Sequence, residues 1–249
     1  MRLLIYKYFL ISLSLVTIHV QAGEQHFTSG QQKTVLIELY TSEGCNSCPP
    51  AEEYLNGLRQ HPELWRRYIP IAFHVDYWDY IGWRDPYAHS AHGKRQSTYA
   101  RLHKLRTVYT PAFVVNGKAW RRGWFGGKPP SSNNMSGELK VTVNGEQLKA
   151  EFASAAPVSE VLTLNIAVLG MDLVSQIMAG ENEGRTARHE FVVVGYKSIN
   201  SFDAHWITSL PDLYYTGAKR YALAVWVNGK DDPTPIQAVG GELLYTFRE

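Results

Sequence analysis

The chain has 249 residues, 45% of them hydrophobic and 19% charged, with seven Trp and fifteen Tyr. That composition suits one large folded domain or two ordinary ones and excludes a disordered or collagen-like chain. A formal net charge of only +2 argues against nucleic-acid binding, which normally needs excess or clustered basic charge.

Residues 1–22 read as a secretory signal peptide. Arg2 and Lys7 flank the start of the apolar run YFLISLSLVTI, and Val20 and Ala22 supply a small-residue cleavage pattern. The run is shorter than the roughly 17–25 apolar residues of a membrane span, so cleavage after Ala22 is expected. Two of the 25 basic residues leave with it and none of the 23 acidic ones, so the mature chain is neutral with His uncharged. No cysteine lies at the cleavage site and no later stretch is apolar enough to span. A periplasmic or secreted protein without a membrane span or lipid anchor is expected.

Next, TVLIELYTS (34–42) has the composition of a short buried strand. It runs into TSEGCNSCPPAEEYL, which holds both cysteines, Cys45 and Cys48. Pro49 and Pro50 fall where a first helical turn tolerates proline, and Tyr54, Leu55 and Leu58 follow at helical spacing until His61-Pro62. IPIAFHVDY (69–77) reads as a second strand, followed by the aromatic loop DYWDYIGWRDPY and a helix from about Asp85 to Arg106. TPAFVVNGK (110–118) reads as a third strand ending in an Asn-Gly turn. The order β-α-β-α-β over residues 23–122 is that of a small α/β domain.

Residues 123–137, GWFGGKPPSSNNMSG, read as a linker. Beyond it, from 138 to 249, ELKVTVNG, QLKAEFAS, LTLNIAVLG, HEFVVVGY, RYALAVWVNG and GGELLYTF alternate or run apolar between turn signals. An antiparallel β-sandwich is expected there.

The cysteine pair is open to three readings: redox centre, inert disulfide or metal clamp. Export favours disulfide chemistry, yet a C-x-x-C closes almost no loop, and chain-entropy stabilisation grows with loop length. At a helix N-terminus a thiolate is favoured over a thiol. Cys45 is thus the candidate nucleophile, and Cys48, one turn along, the residue that resolves a mixed disulfide. A metal clamp would want further imidazoles. His74, His89 and His92 are available, though none has a convincing ligand spacing with the pair.

The order strand, C-x-x-C, helix, strand, helix, X-Pro-strand resembles the thioredoxin fold. That resemblance implies that Pro111 is a cis-proline beside the cysteines, with Thr110 flanking the disulfide. It also makes Glu38, seven residues before Cys45, the counterpart of a buried proton acceptor, one residue off the usual offset. A salt-bridged or edge-facing Glu38 is the alternative. More specifically, ELYTSEGCNSCPPAEEYL, AFHVDYWDYIGWRDPYA, VYTPAFVVNG and GENEGRTARHEFVV together resemble a bacterial exported-protein family catalogued as domain of unknown function 1223. The family resemblance implies an α/β thioredoxin-like N-terminal domain followed by an all-β, sandwich-like C-terminal domain.

The loop residues Tyr77, Trp78 and Trp83, with Tyr109, are candidates for an aromatic wall that receives an extended peptide; a cap over the core is the plainer account. Trp120, Arg121, Arg122 and Trp124 are read as packing between domains. Arg185, Arg188 and His189 match the family pattern without an assignable chemical role. No Ser-His-Asp ordering, phosphate-binding glycine loop or H-E-x-x-H motif is present. The expected activity is thiol–disulfide exchange with a protein thiol or disulfide and a redox partner, with no cofactor beyond the cysteine pair. A protein-binding adaptor and a thiolate metal-handling protein are the alternatives.

Overall fold

A computed structural model describes residues 23–121, 127–157 and 161–244. The expected signal segment, Arg122, Trp124 and part of the expected linker lie outside the described residues. The first half contributes β1 (Gln25–Thr28), β2 (Val35–Thr41), α1 (Pro49–Gly57), β3 (Tyr68–His74), α2 (Ser90–Arg101), β4 (Ala112–Val115) and β5 (Lys118–Ala119). The second half contributes β6 (Gly137–Asn144), β7 (Gln147–Ser154), β8 (Leu162–Met171), β9 (Leu173–Gln176) and β10 (Thr186–His189). It closes with β11 (Val192–Ser201), β12 (His205–Ser209), β13 (Arg220–Gly229) and β14 (Gln237–Leu243).

These elements correct the expected fold class. The protein is mostly β, 43% strand against 14% helix, and is not an α/β thioredoxin-like domain followed by a β domain. One eight-stranded sheet runs in the order β14-β13-β8-β11-β3-β2-β4-β5. It takes strands from both sides of residues 123–137. The seam is β3 against β11, parallel through Ala72 and Val192, with Ala72 N–H donating to Phe191 O at 2.8 Å. β2 and β3 are parallel, whereas β4, β5, β8, β13 and β14 pair antiparallel with their neighbours. A second, antiparallel sheet has the order β1-β6-β7-β12, and β9 and β10 form a separate hairpin.

The burial patterns give the reason. Every residue of β2 and β3 is buried, as expected for strands covered on both faces. β6 alternates buried with half-buried or exposed positions, the pattern of a strand with one face to water. Buried Gln237 ties the two sheets: its amide nitrogen donates to Gly137 O at 2.7 Å and its oxygen accepts from Thr34 N–H at 2.9 Å. Asn116 and Gly117 adopt positive φ, 47° and 79°, in the turn between β4 and β5. That conformation suits this residue pair.

α2 starts later than the sequence suggests. The Asp85 carboxylate accepts from the backbone N–H groups of Glu43 and Tyr87, which holds residues 85–88 as a turn. One buried cation from α2 organises the middle of the large sheet. Arg95 donates to Glu38 through Nε at 2.7 Å and Nη2 at 3.1 Å, and lies over the Trp226 ring at 4.9 Å.

Candidate functional site

Cys45 and Cys48 form a disulfide at the entry to α1, with Cα atoms 5.4 Å apart. They are 1% and 0% exposed, while Asn46 and Ser47 between them are exposed. Cys48 is the helix N-cap residue, with Pro49 and Pro50 in the first turn. Those prolines remove two of the free N–H groups a helix start normally offers. The next two, on Ala51 and Glu52, both donate to Cys48 O. The helix end thus presents fewer donors to Cys45 than the sequence implies. Ser47 Oγ, 3.4 Å from Cys45 Sγ, is a hydroxyl at the sulfur.

The loop after β3 folds over this junction. A Cβ on Gly44 would come within 3.1 Å of Ile81 Cδ1 and 3.2 Å of Trp78 Cβ, so glycine allows the close approach. Trp78 donates its indole N–H to Thr110 Oγ1 at 2.6 Å and stacks on Tyr80, which is 82% exposed. The Thr110–Pro111 peptide bond is cis. Tyr77 donates to Gln96 Oε1, and Gln96 donates to Tyr109 O. Tyr77, Trp78, Tyr109 and Thr110 are therefore one connected group. Trp83 departs from it, donating its N–H to Glu43 Oε2 at 2.7 Å.

Glu38 also belongs elsewhere. Its two oxygens accept from Arg95, Tyr99 and Tyr40, which corresponds to the salt-bridged alternative. That set of partners accounts for its lone pairs and leaves no obvious site for a proton from Cys48. Among the sequence candidates for metal capture, His89 caps α2, its Nδ1 accepting from Ala91 N–H. His92 donates from Nδ1 to His74 O and accepts at Nε2 from Tyr214 Oη, both at 2.6 Å.

Four site residues went unrecognised in the sequence: Glu43, Glu52, Asp85 and Asn182. His74 Nδ1–H donates to Asp85 Oδ2 at 2.7 Å. His189 Nε2–H donates to Glu43 Oε1 at 3.0 Å, and its Nδ1 lies 2.9 Å from Glu52 Oε2. Burial works against charge throughout this cluster, but the pairing outweighs it. His189 is pushed up to about 10 by Glu52 and Glu43, and Glu52 is held down at about 2 by His189. His74 is likewise raised by Asp85, which it in turn lowers.

The hairpin β9–β10 brings His189 here, and its tip reaches the cysteines. Asn182 donates to Glu43 O at 2.7 Å and Cys45 O at 3.0 Å, and Glu181 accepts from Asn46 N–H. Gly180, at φ +79°, allows the tip to pass Trp83 and Ile81. The stretch GENEGRTARHEFVV, which had no assignable role, is thus the clamp on the cysteine loop. Beside it opens a cavity of about 660 Å³ lined by Asn46, Pro49, Glu52, Arg59, Arg185 and His189 among others. Among the described residues no helix is long and apolar enough to cross a membrane.

A protein from Agrobacterium tumefaciens, solved by X-ray crystallography as a structural-genomics target, is similar in fold. The TM-score is 0.62 at 20% identity, over 88% of this chain and 98% of that one. HBP35 of Porphyromonas gingivalis matches with a TM-score of 0.54 at 13% identity, over 85% of this chain and 76% of that one. No curated protein sequence matches. The family described as "Protein of unknown function (DUF1223)" matches residues 36–228, well over half of the sequence, and the chain belongs to that family.

Proposed function

We propose that the protein is an exported thiol–disulfide oxidoreductase whose redox group is the Cys45–Cys48 pair. The observation that carries the reading is the placement of this disulfide at the entry to α1, next to Gly44, which packs against Trp78 of a partly exposed Trp78–Tyr80 stack that is tied to Thr110. A staple across two intervening residues contributes little to stability, so a paired C-x-x-C in this setting is better accounted for by exchange.

In the proposed cycle a client thiolate attacks Cys45 Sγ. The Cys45–Cys48 bond breaks, and Cys48 leaves as a thiolate. A second client thiolate then attacks the client sulfur of the mixed disulfide and expels Cys45. The client loses two electrons and two protons as its disulfide forms, and the cysteine pair gains them. The reverse sequence reduces a client disulfide, and a redox partner of the same thiol chemistry resets the pair. Ser47 Oγ is placed to donate to the Cys45 thiolate, and the Trp78–Tyr80 face offers apolar area to an extended client segment.

The test is a redox titration of the pair against glutathione, read by thiol alkylation and mass. The expected potential lies between about −120 and −270 mV, the catalytic range. A value below about −300 mV would mark a structural disulfide and overturn the reading. Cys45→Ser is expected to abolish turnover of a protein client while leaving the fold intact by circular dichroism.

A further inference from the structure

The cluster behind the cysteine loop has a property that ion pairing does not account for. His74 Nε2 is buried and has no hydrogen-bond partner. His189 Nδ1 makes no well-formed hydrogen bond either; its contact is the ion pair with Glu52 Oε2 at 2.9 Å. Buried polar atoms are usually paired. Here two ring nitrogens from different strands, one without a partner and one held by an ion pair alone, lie beside the same carboxylate.

We propose that His74 Nε2, His189 Nδ1 and a Glu52 carboxylate oxygen form a binding site for a divalent transition-metal ion of borderline softness, zinc being the reference case. One ligand atom from each of the three residues lies within 4.8 Å of those of the other two. Tetrahedral zinc, with bonds of about 2.0–2.1 Å, sets its ligand atoms about 3.3 Å apart. The widest pair therefore closes by no more than about 1.5 Å, within the reach of side-chain rotation.

The groups behind the donors are those such a site requires. A ligating imidazole ordinarily gives its other N–H to a carboxylate or carbonyl, which fixes the tautomer and the ring. His74 gives its Nδ1–H to Asp85 and His189 its Nε2–H to Glu43. His74 is thereby turned with Nε2 free, and His189 with Nδ1 facing Glu52. Thr41 holds the other Glu52 oxygen through its hydroxyl. The two rings stand nearly perpendicular, 85° apart with centroids 5.0 Å from each other, and buried Tyr87 packs edge-on against both. Three carboxylates serve two imidazoles, so the pocket favours a cation. Glu52 and His189 also line the 660 Å³ cavity, which provides an entry path and room for a water or ligand in a fourth position. Two His and one carboxylate with an open position suit a zinc site of the catalytic rather than the closed structural type.

The cysteines are not ligands here, and the proposal does not depend on the redox reading. The test therefore uses the purified full chain with its disulfide closed, stripped with a chelator and titrated with Zn²⁺ against a chromophoric competitor. One ion per chain is expected. Glu52→Gln and His74→Gln should each weaken binding at least about 100-fold, and Asp85→Asn about 10- to 100-fold. Cys45→Ser/Cys48→Ser should bind as the wild type does. Should the ligand variants fail to fold, Cu²⁺ loaded into the wild-type protein provides an independent readout. Its paramagnetic resonance should show coupling to two imidazole nitrogens. Less than a tenth of an equivalent bound, unchanged binding in a folded His74→Gln protein, or a copper spectrum without two coupled nitrogens would each overturn the proposal.

Discussion

Two buried charge clusters sit on opposite accounts of the same problem. Around Arg95 the account is closed: Glu38 accepts from Arg95, Tyr99 and Tyr40, and Arg95 also reaches Tyr99 and Pro233 O. Around His74 and His189 it stays open: His74 Nε2 has no partner, and His189 Nδ1 meets Glu52 in an ion pair without a well-formed hydrogen bond. The first is what a core ion pair looks like when its whole task is to hold a sheet and a helix together. The second keeps spare coordinating capacity beside a cavity and a disulfide. Burial alone thus does not separate structural from functional charge; the satisfaction of each polar atom does.

Removing one partner from the closed cluster should have the largest effect. Arg95→Met leaves Glu38 buried without its cation and is expected to cost about 3–5 kcal/mol, read from the urea midpoint. Glu38→Leu combined with Arg95→Met should recover part of that loss, since the uncompensated charge goes with it. If the single variant were as stable as the wild type, the pair would not be the closed structural unit described.

A smaller effect is expected at the lid of the open cluster. Asn182→Ala removes both hydrogen bonds to the loop carbonyls, at a cost of about 1–3 kcal/mol. The disulfide should also be reduced faster by dithiothreitol, because the hairpin no longer clamps Cys45. An unchanged reduction rate would separate the hairpin from the cysteine chemistry.

His92 lies between the clusters and sharpens the contrast through pH. Burial holds its imidazole down to about 3 against an ordinary 6.5. The folded protein therefore keeps it neutral while the unfolded chain takes up a proton. Stability is expected to fall as pH drops from about 6.5 towards 3, because the unfolded state binds more protons there. His92→Gln should flatten that part of the acid limb in urea melts taken across the range. A limb of the same slope would assign acid sensitivity to other groups.

Local signals in the sequence placed many elements well. TVLIELYTS contains β2, PPAEEYLNG is α1, and the Asn-Gly pair turns the chain after β4, because apolar runs, proline at a helix start and turn chemistry act over a few residues. The sheet topology was not legible. The β3–β11 seam joins Ala72 to Val192, and nothing local to either strand announces its partner. The β-α-β-α-β order therefore suggested a self-contained α/β unit, whereas β3 has a second neighbour from the far half.

The cysteine pair was legible because its spacing is itself a motif. The histidine cluster was not, because its members come from α1, β3 and β10 and meet only in three dimensions. His74 and His189 were visible as histidines, but nothing local to Asp85 and Glu43 marked them as the acceptors behind those rings. Glu38 illustrates the converse: its position relative to Cys45 suggested proton transfer, and its neighbours Arg95 and Tyr99 claim it for the core.

The clamp on the cysteine loop also sets an order in time. Cys45 and its partner Asn182 are 137 residues apart, and Glu43 and His189 are 146 apart. At about 5–20 residues per second, translation delivers the cysteines roughly 7–30 s before the residues that cover them. During that interval the nascent pair lacks its lid. The thiols are thus most open to foreign partners while the protein is still being made, and the last third of the chain ends that vulnerability.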